Sequence, residues 1–291
     1  MTTSVSTATR PLRAARRLLG ESRVHRLGRL LRRTRIRLGV RRVTFRGVRL
    51  ELDPHSANSE SVLAGRFERA LLDFVIPRVP AGGFCVDVGA HVGYWTVPLA
   101  AAVGPTGHVV AIEAHEPNVL RLRRNLDLND LTNTDVLNAA AQDRSGQAQL
   151  GVSGTSSSWN SLVSSGTYFQ DSVSVVTVPA VSLDALTLPE SIDLLKIDVE
   201  GAEDSVLAGA ATVLPRCSML VLEIGGLRVT SESYVASVTQ KLFDSFPEVH
   251  AVDKSADRLV PVGSVADLRT RWIDRQDVTK VVAVRRDAPA L

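Results

Sequence analysis

The sequence predicts an α/β protein with an open, mostly parallel sheet flanked by helices. From residue 84 onward, short apolar runs typical of buried strands alternate with segments of helical periodicity. Seven such strand-like runs occur, and a glycine-rich turn follows the first of them. This alternation is typical of parallel strands joined by helical crossovers. Since neither an internal repeat nor a second core is visible, we expect one domain preceded by an extension.

The strand and helix predictions follow from these runs. Helices are expected at GYWTVPLAAAV, PNVLRLRRNLDLN, EDSVLAGAATVLP and VASVTQKLFDSF, with Pro98 early in the first and Pro215 at the end of the third. The final pair of strands is compatible with an antiparallel edge. The seven predicted strands are FCVDV, HVVAIEA, TDVLNAA, SIDLLKIDVE, SMLVLEI, EVHAVDK and DVTKVVAVRR.

Two segments depart from this rhythm. Before the sheet, VRRVTFRGVRLELD predicts a strand pair and SVLAGRFERALLDFVIPRV predicts one helix that ends at Pro77 and Pro80. Between the third and fourth strands, a Ser-rich stretch at residues 153–172 lies between two short strands, GQAQLGV and SVSVVTV. This stretch carries Trp159, Tyr168 and Phe169, and it is expected to be either a lid over a substrate or a flexible surface loop.

The charge of the chain is unevenly distributed. Residues 1–50 hold fifteen arginines and one acid, so this extension carries +14 and the domain at 51–291 carries −11. Its leucines recur at helical spacing, and residues 10–38 are expected either to contact anionic membranes weakly or to be a solvated extension. It lacks the apolar stretch of a signal peptide, and no run of about 18 apolar residues indicates a membrane span.

The two cysteines indicate the compartment. Cys85 and Cys217 each lie in an apolar strand-like run, and two isolated cysteines form neither a disulfide framework nor a metal quartet. We therefore expect two core thiols in a reducing cytoplasm.

The glycine-rich turn, FCVDVGAHVGYWT, indicates a ligand site. In sheets of this class ligands bind at the carboxyl ends of the strands. A dinucleotide fingerprint would read G-x-G-x-x-G, but here Asp87 stands in the place of the first glycine. A carboxylate there would repel a pyrophosphate and would suit S-adenosylmethionine, which carries a sulfonium, an ammonium and no phosphate. Gly89 is expected to let the backbone approach the ligand, and Gly93 to let the helix pack closely on the sheet.

The second strand ends in a further acid, Glu113. An acid at this position typically accepts hydrogen bonds from both ribose hydroxyls. NAD sites share this feature, so Glu113 indicates a ribose without choosing the cofactor. After the third strand, Asn138 or Asp143 is expected to contact the adenine.

Several blocks together resemble the FkbM-type methyltransferases. These are FCVDVGAHVGYWT, VVAIEAHEPNVLRLRRNLDLNDLTNTDVLNAAAQD, VSLDAL, IDLLKIDVEGAEDSVLAGA and LVLEI, in this order over roughly residues 60–225. The resemblance implies a Rossmann-like class I methyltransferase fold and methyl transfer from S-adenosylmethionine to oxygen, often a hydroxyl of a sugar or secondary metabolite. Two departures are visible: His91 replaces the common asparagine, and the usual proline after Glu113 is displaced to Glu116–Pro117. Glu113 is preferred as the ribose ligand because it ends the strand.

The candidate catalytic residues lie at the strand tips. A hydroxyl is a poor nucleophile unless a base takes its proton. Alternation along the fourth strand places Asp198 and Glu200 on one side, so Asp198 is expected beside the methionine moiety or acceptor and Glu200 beside the hydroxyl. The alternative is that Glu200 and Glu203 only favour the next helix N-terminus. His91 is a further candidate base, and Glu223 and Trp159 are candidate substrate contacts.

The partners follow from these assignments. We expect a small-molecule hydroxyl acceptor, no obligatory metal and no nucleic-acid substrate, because the domain is acidic. Two other functions stay open: a nucleic-acid methyltransferase that uses the Arg-rich extension, and a non-catalytic module associated with membranes. The sequence does not indicate the oligomeric state.

Overall fold

The computed structural model describes residues 41–163, 172–224, 231–273 and 279–285. Most of the Arg-rich extension, including residues 10–38, and the aromatic residues Tyr168 and Phe169 lie outside these ranges. None of the described helices is both long and apolar enough to cross a bilayer.

The strands and helices alternate as predicted. The helices are α1 (Ser59–Leu63), α2 (Arg69–Val75), α3 (Thr96–Val103), α4 (Glu116–Asp127), α5 (Glu203–Ala208), α6 (Glu232–Ser245) and α7 (Val265–Arg271). The strands are β1 (Arg42–Phe45), β2 (Val48–Glu51), β3 (Phe84–Val88), β4 (His108–Glu113), β5 (Thr134–Asn138), β6 (Ala140–Ala141), β7 (Gly146–Ser153), β8 (Ser161–Leu162), β9 (Ser172–Val181), β10 (Ile192–Ile197), β11 (Cys217–Ile224), β12 (Glu248–Asp253), β13 (Arg258–Pro261) and β14 (Thr279–Val284).

The main sheet confirms the predicted fold class. Its eight strands lie in the order β13-β12-β14-β11-β10-β3-β4-β5, and they include all seven predicted strands. The neighbours β11, β10, β3, β4 and β5 are parallel, whereas β14 is antiparallel to both β11 and β12. The unpredicted strand β13 forms the edge of the sheet and is antiparallel to its neighbour β12. Because β14 runs in the opposite direction, its first residues reach the edge where the parallel strands end.

A smaller sheet covers one end of the edge where the parallel strands terminate. Its order is β6-β9-β7-β8, and the two short strands predicted around the Ser-rich stretch, β7 and β9, form its antiparallel centre. The small apolar cluster beneath it includes Ala140, Leu150 and Leu162. This sheet closes one side of the first cavity described below.

The prediction of a single helix before β3 is wrong in one respect. Two short helices, α1 and α2, replace it, because Gly65 (φ +66°) and Glu68 (φ +41°) adopt left-handed backbone conformations between them. A continuous helix requires negative φ at every residue. The break lets Glu68 point towards the edge of the sheet.

The core covers both faces of the main sheet. Leu194 and Leu195 are neighbours on β10 but pack in different apolar clusters, as the alternation of a strand requires. Cys85 and Cys217 are buried free thiols on opposite faces. The β1–β2 hairpin also packs its buried side chains into one of these clusters, so the folded domain includes Arg42, ahead of the expected start at residue 51.

Candidate active site

Two neighbouring cavities open at the carboxyl edge of the parallel strands. The first cavity lies between the turn after β3, the ends of β4 and β10, and the small sheet. The second cavity lies beyond the end of β10 and extends towards β11, β14 and the segment between α1 and α2. Asp198 and Glu200 line both cavities.

The glycine-rich turn borders the first cavity, but its glycines are required by packing. Gly89 has φ +76°, and a Cβ atom there would lie 1.8 Å from the backbone oxygen of Asp198. Gly93 has φ +94°, and its Cβ would lie 2.5 Å from Leu122 Cδ1 on α4. Gly89 lines the first cavity, whereas Gly93 is not among its lining residues. Gly93 therefore allows close packing on a helix, where the expected neighbour was the sheet.

Asp87 is not among the residues that line the first cavity. Its side chain is fully buried, accepts a hydrogen bond from Thr96 Oγ1 (2.6 Å) and pairs with Lys196 Nζ (3.0 Å). Lys196 lies directly opposite Asp87 in the β3–β10 register, so the two side chains share one face. Asp87 is therefore turned towards the sheet rather than towards the cavity, and its charge is neutralised within the protein.

The ammonium of Lys196 also stabilises the glycine-rich turn through hydrogen bonds. Its Nζ donates hydrogen bonds to the backbone oxygens of Gly89 (2.9 Å) and Val88 (3.3 Å). Burial alone would lower the pKa of Lys196, but Asp87 and Asp198 outweigh burial and raise it. The Asp87–Lys196 pair therefore holds the glycine turn against β10.

Glu113 lies in the wall of the first cavity, as expected. Its Oε2 accepts from the backbone N–H of His91 (2.8 Å), and its Oε1 accepts from the N–H of His115 (2.9 Å) and from Asn118 Nδ2 (3.1 Å). Burial raises the pKa of Glu113, whereas these three hydrogen bonds lower it. Glu116, the alternative acid, is exposed in the first turn of α4.

Neither residue that was expected to contact the adenine lines the first cavity. Asn138 Nδ2 donates to the backbone oxygens of Glu113 (3.1 Å) and Ala114 (2.9 Å), so its amide fixes the chain after β4. Asp143 lies near Arg144 and Ser205. The apolar part of the cavity wall is formed by Ala139, Ala140, Ala141, Leu150 and Leu162.

His91 lines the first cavity in a strained conformation. Its φ is +51°, which L side chains other than Asn and Asp rarely adopt. Its Nε2 lies 3.0 Å from Ser157 Oγ, and the Ser157 hydroxyl donates to Asp53. The Ser157 oxygen must then accept from Nε2–H, which leaves Nδ1 as the unprotonated nitrogen; this atom has no hydrogen-bond partner among the described residues. Burial lowers the pKa of His91 to about 4, so the imidazole is neutral at pH 7.

The described part of the Ser-rich stretch forms a fixed wall. The Ser157 N–H donates to the backbone oxygen of His55 (3.1 Å), and Ser156 Oγ accepts from the N–H of Ala57 (2.9 Å). Trp159 follows in the same short 3-10 helix and lines the second cavity. The stretch thus links the segment before α1 to both cavities.

Four carboxylates surround one ammonium between β10, β11 and α2. Lys280 Nζ lies 2.7 Å from Asp198 Oδ2, 2.7 Å from Glu223 Oε2 and 2.8 Å from Glu68 Oε1. Oxygens of Asp198, Glu200 and Glu223 also lie within 4.8 Å of one another. We call Glu68, Asp198, Glu200, Glu223 and Lys280 the carboxylate cluster.

The members of this cluster titrate differently. Burial alone would raise the pKa of Asp198, but Lys280 and Lys196 lower it to about 2. Burial and the charge of Asp198 raise the pKa of Glu223 to about 7. Burial, Glu223 and Asp198 raise the pKa of Glu200 well above its usual value. Asp198 is therefore ionised at neutral pH, whereas Glu200 and Glu223 titrate as a pair.

Glu203 supports the turn that carries Glu200. Its Oε1 accepts from the N–H groups of Val199 and Gly201, each at 3.1 Å, and its Oε2 accepts from the Tyr234 hydroxyl. Glu200 itself has φ +56°. Backbone strain of this kind clusters at functional sites, and three residues of the two cavities show it: Glu68, His91 and Glu200.

Lys280 and Glu68 were missed by the sequence analysis. Lys280 lies near the start of the last predicted strand, DVTKVVAVRR, and an antiparallel assignment for that strand would have placed it at the carboxyl edge. Glu68 was hidden inside a predicted helix. Asp53 and Ser157 carry no motif that could have identified them.

A family model identifies the chain. The model for the methyltransferase FkbM domain matches residues 87–255, more than half of the sequence. The chain belongs to the FkbM methyltransferase family. It is therefore an S-adenosylmethionine-dependent methyltransferase with the predicted Rossmann-like fold.

Comparisons with other proteins give more distant similarities. No curated protein sequence matches the chain significantly. Solved structures with similar folds include an S-adenosylmethionine-dependent O-methyltransferase from Thermotoga maritima (14% identity, TM-score 0.41, 75% of this chain and 66% of that one). Another is the cofactor-bound Rv0187 from MTB (15% identity, TM-score 0.42, 95% of this chain and 96% of that one). A third is the N-terminal domain of human METTL16 (12% identity, TM-score 0.42, 82% of this chain and 75% of that one).

The first cavity fits S-adenosylmethionine by its chemistry. Its polar end holds the carboxylates of Glu113, Asp198 and Glu200, and its described lining residues include no lysine or arginine. Among these residues a pyrophosphate would meet carboxylates and no lysine or arginine side chain, which disfavours it relative to a ligand with a sulfonium and an ammonium. The apolar part of the wall suits a flat base.

Proposed function

We propose that the protein methylates a hydroxyl group of an uncharged small molecule, such as a sugar or secondary metabolite. The first cavity holds the methyl donor and the second holds the acceptor. The observation that carries this proposal is the junction of the two cavities at Asp198 and Glu200. Asn58 and Ser158 also line both cavities, so these four residues form the boundary between the proposed donor and acceptor sites.

The lining of the second cavity supports a polyhydroxylated acceptor. Its polar groups include the carboxylate cluster, Asn58 and two serines, and its aromatic side chains are Phe67 and Trp159. Carboxylates accept hydrogen bonds from hydroxyls, and aromatic faces pack on apolar ring surfaces. Four acids against Lys280 and Arg66 disfavour a phosphorylated or nucleic-acid acceptor.

S-adenosylmethionine supplies, when bound, a methyl group on a positively charged sulfur. Glu113 would hold the ribose and Asp198, which is ionised at neutral pH, would face the positive charge. The Glu200–Glu223 pair would take the proton of the acceptor hydroxyl as its oxygen bonds to the methyl carbon. A pair that titrates near neutral pH can accept this proton and later return it to water. His91, which lines the first cavity, would be a further candidate base.

No metal is part of this proposal. The oxygens of three carboxylates approach one another closely, but the ammonium of Lys280 already pairs with two of them. We therefore expect methyl transfer to persist after chelation. The buried thiols of Cys85 and Cys217 support a reducing compartment such as the cytoplasm.

A tritiated methyl-transfer screen against sugars and metabolites tests the proposal. Once an acceptor is found, Asp198→Asn should abolish turnover with the fold intact, because it removes the charge at the junction of the cavities. Glu190→Gln, at an exposed acid that lines neither cavity, is the matched control. Full activity of Asp198→Asn would remove this residue from the mechanism.

The same screen includes the alternative acceptors. Methylation of an RNA or DNA substrate, with binding lost on deletion of residues 1–50, would replace the small-molecule proposal. Flotation of the full chain with anionic vesicles, without turnover on any acceptor, would favour the non-catalytic module.

A further inference from the structure

The carboxylate cluster is organised around Lys280. This residue lies directly opposite Glu223 in the β11–β14 register, and it reaches the carboxyl edge because β14 is antiparallel. Its three ion pairs join α2, β10 and β11, each at 2.7–2.8 Å. Glu68 also accepts from Trp95 Nε1 (2.7 Å), which links the cluster to the glycine turn.

Two members of the cluster lie outside the family match. Glu68 precedes residue 87 and Lys280 follows residue 255, whereas Asp198, Glu200 and Glu223 lie inside these limits. The family assignment therefore gives no role to the ammonium that touches three of the four acids.

We propose that Lys280 is a positioning residue that holds Asp198 and Glu223 in place and determines how many protons the carboxylate cluster retains. With the ammonium present, Asp198 stays ionised and the Glu200–Glu223 pair keeps negative charge at neutral pH. Without it, the cluster takes up a further proton, and the pair loses the charge that accepts the proton of the hydroxyl. This inference rests on the proposed function for the role of that pair.

The charges around the carboxylate cluster determine how many protons it holds. Four carboxylates in a half-buried cluster repel one another, and an opposite charge within about 4–6 Å lowers the pKa of a carboxyl by about one to three units. Burial alone would lower the pKa of Lys280, but Asp198, Glu223 and Glu68 outweigh burial and raise it. Other charged or titratable groups that face the cluster are Lys196 and His91, near Asp198, Glu203, near Glu200 and Glu223, and Arg66 in the second cavity. Arg69, Lys254 and Asp257 line a further cavity together with Glu68 and Lys280.

A direct titration tests the inference without an acceptor. The full chain is labelled with ¹³C at the glutamate side-chain carboxyls, and the carboxyl signals are followed by NMR against pH, with Glu223→Gln to assign Glu223. In Lys280→Met, the midpoint of Glu223 should rise by about one to three pH units. Lys280→Arg should restore it, and Lys241→Met, at a half-buried lysine of α6 that lines neither cavity, should leave it unchanged. A purely structural role would not give this pattern of rescue.

A midpoint of Glu223 that is equal in Lys280→Met and the wild-type chain would overturn the inference. If Lys280→Met does not fold, Glu68→Gln is titrated instead, and the expected shift of the Glu223 midpoint has the opposite sign. It removes one like charge and leaves Lys280 shared among fewer acids, so the midpoint of Glu223 should fall; an unchanged or higher midpoint would contradict the proposal. Failure to bind S-adenosylmethionine, with these titrations as expected, would instead contradict the proposed function alone.

Discussion

Lys196 Nζ lies 3.0 Å from Asp87 Oδ1 in the middle of the main sheet, and both side chains are buried. The carboxylate that the sequence analysis assigned to the ligand is thus half of an internal ion pair. Loss of one partner would leave the other charge buried and unpaired, which typically costs about 3–5 kcal/mol. The pair has a second effect, because Lys196 also donates to the backbone of the glycine turn.

Lys196→Met should therefore lower the free energy of unfolding by about 3–5 kcal/mol, as measured by urea denaturation. The double variant Asp87→Asn with Lys196→Met should recover part of this loss, because neither charge remains. Equal stability of Lys196→Met and the wild-type chain would show that the pair does not hold the turn.

Glu113→Gln should weaken the binding of S-adenosylmethionine about tenfold, because a hydrogen bond to a charged group contributes about 1.5–3 kcal/mol and the amide retains part of it. Glu116→Gln is the matched control, since Glu116 is exposed on the next turn of the chain. Calorimetry with both variants measures this difference, and melting temperatures verify the fold. A loss of affinity in Glu116→Gln alone would move the ribose contact to Glu116.

His91→Asn should fold as well as the wild-type chain, because Asn tolerates the left-handed conformation at φ +51°. His91→Ala should be less stable than His91→Asn by about 1–2 kcal/mol. Comparison of their methyl-transfer rates separates the backbone role of His91 from a chemical one. A turnover in His91→Asn equal to wild type would exclude His91 as an essential base.

The pKa of Glu223 gives a prediction for stability. A carboxyl whose pKa is raised to about 7 in the folded protein binds its proton more tightly there than in the unfolded chain. The tighter proton binding of Glu223 in the folded state adds to the free energy of unfolding. This stabilisation is fully present below the unfolded pKa, near 4.5, and is lost as the pH rises through about 7. The free energy of unfolding that is lost in this way is about 3 kcal/mol. The difference in unfolding free energy between the wild-type chain and Glu223→Gln should therefore change across this window; a constant difference would contradict the raised pKa.

The sequence predicted the main sheet because each strand is an apolar run between clear helix signals. It also located the site, since the carboxyl ends of β3, β4, β10 and β11 must meet at one edge. It did not predict the pairing of Asp87 with Lys196, because the cross-strand register is a tertiary property. Nor could it place Lys280, whose position depends on the direction of β14, or Glu68, whose position depends on a break between two helices.

The attraction of the first cavity for a cation is the central claim, and calorimetry with the full chain tests it most directly. S-adenosylmethionine should bind, NAD(H) should not, and Asp198→Asn should weaken the former. Tight binding of NAD(H) together with no heat from S-adenosylmethionine would contradict the account.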